Sequence, residues 1–139
     1  MQWSYFYTLD AQSRLMLPYE ALSSLSASSG HYYPRIRGDL CLADTALGIR
    51  KPCILFFLKD HLPSDERELP QGIRPVAVAG YNPNRGNSVG DDGRIRLKKH
   101  QTIHLSGRSR MEGMSKKDRT MMVLGLGDYM VITNSNLWL

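Results

Sequence analysis

The sequence lacks the marks of several large protein classes. It has two cysteines, Cys41 and Cys53, too few for a disulfide framework. Its amino terminus, Met1-Gln2-Trp3-Ser4, shows no basic and apolar secretory pattern, so both cysteines read as buried, reduced thiols. The longest strongly apolar run, Cys53 to Leu58, is far short of the roughly 20 residues that cross a membrane. There is no Gly-x-Ser-x-Gly elbow, no cysteine-nucleophile signature and no Gly-Lys-Ser/Thr phosphate loop. Gly125-Leu126-Gly127 lacks the third glycine and the helix of a dinucleotide site, and reads as part of a hairpin turn. His100 and His104 have the four-residue spacing of a metal pair on a helix, but Asp91 and Asp92 are the only further ligands nearby, and no metal site is expected. His31 and His61 stand isolated. These absences lead to the expectation of a cytoplasmic protein that is not an enzyme, with no cofactor, no small-molecule substrate and no membrane contact.

What the chain does have is an ordinary globular composition, 139 residues and 42% hydrophobic, enough for one domain or two half-size units sharing a core. Charge is unevenly placed. Residues 1–70 hold 7 Lys and Arg against 8 Asp and Glu, and residues 71–139 hold 11 against 5. Between Arg94 and Arg119, nine cations, including Arg96, Lys98 and Lys99, face only Glu112 and Asp118. Such a stretch is either a phosphate-neutralising surface or a solvated basic loop.

Alternation of Trp3, Tyr5 and Tyr7 with Ser4, Phe6 and Thr8 predicts an opening strand, followed by a turn at 10–13 and a short strand at 14–17. Pro18 opens a helix through Leu25. Arg35 to Leu42 and Cys53 to Leu58 are strand candidates around a bend at Gly48 and Pro52, closed by a turn at Asp60 to Pro63. Proline and glycine then punctuate a linker, residues 63–88, with one strand candidate at Val76 to Ala79. Gly93 to Leu97, Thr120 to Leu124 and Tyr129 to Thr133 complete the strands, the last two around a tight turn at 125–128. Leu15, Leu17, Ile54, Phe56, Val123, Leu124, Met130 and Ile132 are the expected core.

The two halves echo each other. Leu9 to Pro18 parallels Val89 to Lys98, and Pro52 to Leu58 parallels Asp128 to Asn134. The spacing from Arg14 to Ile54 is 40 positions, and that from Arg94 to Met130 is 36. A duplicated turn, strand, gap and strand unit leaves such a trace.

Asp10-Ala11-Gln12-Ser13-Arg14-Leu15-Met16-Leu17-Pro18 resembles the Asp-x-x-Gly-Arg-x-x-x-Pro signature of AbrB-like swapped-hairpin domains. Its Asp-x-x-x-Arg core resembles that of the MraZ branch, and Asp92-Gly93-Arg94-Ile95-Arg96-Leu97 is similar to a second copy. Strands at 51–57 and 121–132, with Asn136-Leu137-Trp138, resemble those that close each MraZ half. Departures are Ser13 for the glycine, Gly90 for the second aspartate with Asp91 one place late, and Lys98 for the proline. The resemblance implies an α+β, β-predominant fold of two tandem strand-turn-strand-helix-strand units, residues 1–62 and 89–139. It also implies a transcriptional regulator that binds double-stranded DNA as a homo-oligomer at the nucleoid.

Independently of the resemblance, a carboxylate four residues before an arginine across a turn can accept bonds from turn amides or pair with the guanidinium. Either arrangement fixes the arginine, which then loses less entropy on meeting a phosphate or a guanine edge. Arg14, Arg94, Arg96, Lys98 and Lys99 are therefore the DNA-contact candidates, with Asp10, Asp91 and Asp92 orienting the turns. Apolar residues near both ends, Trp3, Tyr5, Phe6, Leu137 and Trp138, favour self-association. The competing expectation is a small β-barrel that binds RNA or an acidic protein partner. As an RNase toxin it would draw its acid and base from His100, His104 and Asp91 or Asp92.

Overall fold

A computed structural model describes residues 2–29, 35–44, 47–58 and 69–138. It is α+β, with strand predominating. The order is β1 (Gln2–Thr8), β2 (Arg14–Met16), α1 (Tyr19–Ser29), β3 (Gly38–Asp44), β4 (Arg50–Phe57), β5 (Ile73–Pro75) and a 3-10 turn at Pro83–Arg85. Then come β6 (Arg94–Arg96), α2 (Lys99–Ser106), α3 (Lys116–Arg119), β7 (Thr120–Leu126), β8 (Tyr129–Asn134) and a 3-10 turn at Ser135–Trp138. The turn expected at Asp60 to Pro63, and His31 and His61, lie outside the described residues.

Six strands form one antiparallel sheet in the order β1-β7-β8-β4-β3-β5, while β2 and β6 pair separately. Tyr5↔Val123↔Ile132↔Ile54↔Leu40 is one row across that sheet. Because side chains alternate between faces, this row and its period-two neighbours share one face. That face joins a single buried cluster with Leu9, Leu15, Leu17, Ala21, Leu25, Ile95, Leu97 and Leu105. The other face carries Cys41, Cys53, Leu55 and Val131, with Phe57, Leu69, Ile73 and Tyr129 packed on them. Leu124, expected in the core, points to this second face and is only partly buried, since it sits one residue out of phase with Val123. Both cysteines are free and fully buried, and burial pushes the Cys53 thiol up to about 12 and raises that of Cys41 further.

Two glycines let aromatic rings lie flat on the sheet. A Cβ at Gly38 would overlap the Phe56 ring of the adjacent strand, and one at Gly125 would overlap Trp3. Gly125 therefore belongs to β7, and the hairpin turn tightens to Gly127-Asp128, with Gly127 at φ 70.

Two further expectations are corrected. Pro52 lies inside β4 opposite Leu42 rather than in a bend. Its carbonyl faces β8 and accepts from Thr133 Oγ1 at 2.8 Å, so its nitrogen faces the same way, one step beyond the first β4·β8 pair, Cys53↔Thr133. Lacking an N–H, Pro52 stands where the β4·β8 ladder ends. The strand expected at Val76 to Ala79 is displaced to Ile73–Pro75, which pairs with Cys41 to Ala43. Val76 N still reaches Leu40 O at 2.7 Å, after which Gly80, at φ 81, turns the chain away. Helix α2 ends at Ser106, because Gly107 at φ 76 closes it with a bond from its N–H to Ile103 O.

Residues 69–88 do more than connect. They supply β5, the 3-10 turn and a bridge from Asn87 to Ile36.

Candidate nucleic-acid interface

The antiparallel β2·β6 ladder pairs Arg14 with Arg96, Leu15 with Ile95 and Met16 with Arg94. Directly opposed residues share a face, so Leu15 and Ile95 both point inward and are fully buried. A ladder this short cannot hold itself together. Burying these two side chains contributes about 3 to 6 kcal/mol, which anchors the ribbon to the core. The outward face then presents Arg14, Arg94 and Arg96 around Met16.

Both ends of the ribbon are built alike. In the first half Asp10 N donates to Arg14 O and Ser13 N to Asp10 O, and in the second Gly90 N donates to Arg94 O and Gly93 N to Gly90 O. Leu17 N reaches Gly93 O at 3.0 Å and Leu97 N reaches Ser13 O at 2.8 Å, crossing the ribbon symmetrically. The following helices open the same way, with Ala21 and Leu22 N donating to Pro18 O, and Gln101 and Thr102 N to Lys98 O. Ser13, at φ 60, adopts the left-handed conformation of Gly93 at φ 78, so the serine keeps the turn's shape in a region costly for a side chain.

The carboxylates are not symmetric. Asp10 Oδ1 accepts from Gln12 N and Arg14 N, each at 2.9 Å, and Oδ2 takes Arg14 Nε at 2.8 Å. The same oxygen lies 3.6 Å from Arg94 Nη1, so one carboxylate serves an arginine from each half. Burial alone would raise the Asp10 carboxyl, but the bonds from Arg14 N, Arg14 Nε and Gln12 N and the Arg14 charge outweigh it and hold it below its ordinary value. In the second turn Gly90 offers no carboxylate. Asp92 Oδ1 accepts from Arg94 N at 3.1 Å and its Oδ2 is 3.8 Å from Arg94 Nε, while Asp91 is exposed beside it. Of the two aspartates expected to orient this turn, Asp92 makes the contact.

Lys98 and Lys99 begin α2 rather than joining the ribbon face. Lys98 lies near Arg35 and Arg85, and burial first, then these two charges, lower its ammonium. Arg35 and Arg85 escape a reading of the sequence because both lie outside the two motifs and 50 positions separate them along the chain.

The histidines have separate partners. His104 Nε2 lies 2.8 Å from Cys41 O and 3.1 Å from Cys53 O, so that nitrogen carries a proton and braces α2 against the β3·β4 hairpin. His100 sits beside the Tyr81 ring. Among the described residues, no three His, Cys, Asp or Glu side chains are grouped so as to hold a metal ion.

Of the apolar residues near the ends, Trp3 covers Gly125 and Tyr5 donates to Glu20, leaving Phe6 64% exposed on the edge strand β1. The side chains of Leu137 and Trp138 lie outside the described residues. No helix among the described residues is long and apolar enough to cross a membrane.

The chain matches no protein-family model, no curated protein and no solved structure.

Proposed function

We propose that this protein is a DNA-binding transcriptional regulator of the AbrB-like, MraZ-branch kind, non-enzymatic and without a cofactor, acting as a homo-oligomer at the nucleoid. The observation that carries the reading is the ribbon: two arginine turns from opposite halves of the chain stand side by side, bridged by Asp10. Duplication of residues 1–62 in 89–139 is supported by matched turn, cross-ribbon and helix-opening hydrogen bonds. It is supported also by pairing between halves, with β1 on β7 and β2 on β6. A pinned guanidinium is suited to bidentate contact with a base edge or a phosphate. One subunit offers few such contacts, so linking several in an oligomer raises affinity through effective concentration. The free edge of β1 with Phe6 exposed is a surface for that assembly.

The test is fluorescence anisotropy with a labelled duplex and with RNA of the same sequence, at two salt concentrations, beside a size measurement in solution. Salt-dependent duplex binding by an oligomer is expected, reduced in Arg14→Ala/Arg94→Ala. A folded double variant with unaltered duplex binding overturns the reading, and preferred binding or cleavage of RNA favours the RNA-binding alternative.

A further inference from the structure

We infer that Arg35, Arg85 and Lys98 form a phosphate-binding corner beside the ribbon, which receives a backbone phosphate of the duplex; in this the inference rests on the DNA-binding reading above. The Arg35 guanidinium is held by three bonds, Nε to Arg85 O at 2.8 Å, Nη1 to Ser88 Oγ at 3.3 Å and Nη2 to Gly86 O at 3.2 Å. Arginine has five N–H donors, so two remain for an anion. Arg85 ends the 3-10 turn Pro83–Arg85, which is fixed at one end by Asn82 Oδ1 accepting from Asn84 N and at the other by Gly86 N donating to Pro83 O. Lys98 is fixed at the start of α2 by the bond from its N–H to Gln101 Oε1 at 2.8 Å.

The corner is rigid for a visible reason. Asn87 and Gln101, 1% and 0% exposed, exchange bonds through both amide groups at 2.6 and 2.9 Å. Asn87 Nδ2 also reaches Arg96 O at 2.8 Å, and Gln101 Nε2 reaches Tyr81 OH at 3.1 Å. This fully bonded core ties the segment carrying Arg85 and Ser88 to β6 and to α2.

Among the described residues, the corner also lacks a compensating carboxylate. The charges acting on Lys98 are the two guanidiniums, both lowering its ammonium after burial has done so. Among the described residues, the ion pairs are made by Arg14, Arg37, Arg50 and Arg94, and by none of these three cations. Three neighbouring cations with no counter-charge among the described residues are unfavourable together until an anion enters. Ser88 O, accepting from Arg96 N, sets the corner directly against the ribbon.

The test is nitrogen-15 NMR of Lys98 Nζ and Arg35 Nε during titration with inorganic phosphate at constant ionic strength. Both signals are expected to shift saturably, Lys98 to titrate at higher pH with phosphate bound, and Arg85→Gln/Lys98→Gln to abolish the Arg35 response. A response no greater than that to chloride overturns the site. In duplex binding, the folded double variant should lose several-fold affinity on every sequence and flatten the logarithmic salt slope by about two. Duplex binding unchanged in that variant overturns the corner's role and leaves the ribbon reading standing. Phosphate binding without any duplex binding by the parent protein overturns the ribbon reading and leaves a site for free phosphate.

Discussion

Arg14 and Arg96 stand directly opposite each other across the β2·β6 ladder, two like charges at the closest cross-strand position. Such a pair costs about 0.2 to 1 kcal/mol. Arg96→Gln should therefore raise thermal stability by that amount, with the gain shrinking as salt is added. It should weaken duplex binding at the same time. Denaturant titration beside anisotropy checks both, and a stability loss on removing the charge would contradict the opposition.

Asp10 offsets part of the ribbon's positive charge. Its carboxyl is depressed in the folded state, so it contributes stability that is present above the ordinary value of 3.8 and is lost as pH falls through that value toward the lower folded one. Asp10→Ala should cost about 1 to 2 kcal/mol at neutral pH, discounted for partial exposure. It should also flatten the acid limb of the stability curve below pH about 4. An acid limb of the same steepness in the variant would show that other carboxyls produce it.

Ser13 occupies a left-handed position, where Gly93 shows the unstrained solution. Ser13→Gly should stabilise by about 1 kcal/mol or less, because relief of the side-chain strain is partly offset by the freer unfolded chain. Duplex binding should not change. A measured loss of stability would mean that the serine side chain contributes a contact outweighing the strain.

Much of this fold is written in local pattern. The alternation of Trp3 to Thr8 reports β1, because one face is buried and period two marks it. The turn before Arg14 is legible because an Asx carboxylate and a left-handed residue have local signatures. What escapes is everything decided at long range. Val76 to Ala79 carries more strand propensity than Ile73–Pro75, yet the pairing partner on β3 selects the latter. Meeting of Arg14 and Arg94 at one carboxylate depends on a register between segments from opposite halves of the chain. Arg35 and Arg85 join Lys98 only through the same tertiary arrangement.

The Asn87–Gln101 clasp gives the last prediction. Both side chains are buried and each satisfies the other, so removing one leaves a buried amide partly unbonded. Gln101→Ala also takes an acceptor from Lys98 N and a donor from Tyr81 OH. Each single alanine variant should therefore cost about 2 to 3 kcal/mol, within the range for stranding a buried polar group plus the loss of packing. The double variant should cost less than the sum by about 1 kcal/mol, since the second deletion removes the group that the first left unpaired. Equilibrium unfolding of the four proteins in one cycle measures that difference. Strict additivity would show that the two amides are satisfied by water rather than by each other, and the segment carrying Arg85 and Ser88 would then be held by the Ile36↔Asn87 bridge, the Arg35 guanidinium bonds and the Arg96 N–H to Ser88 O bond without the clasp.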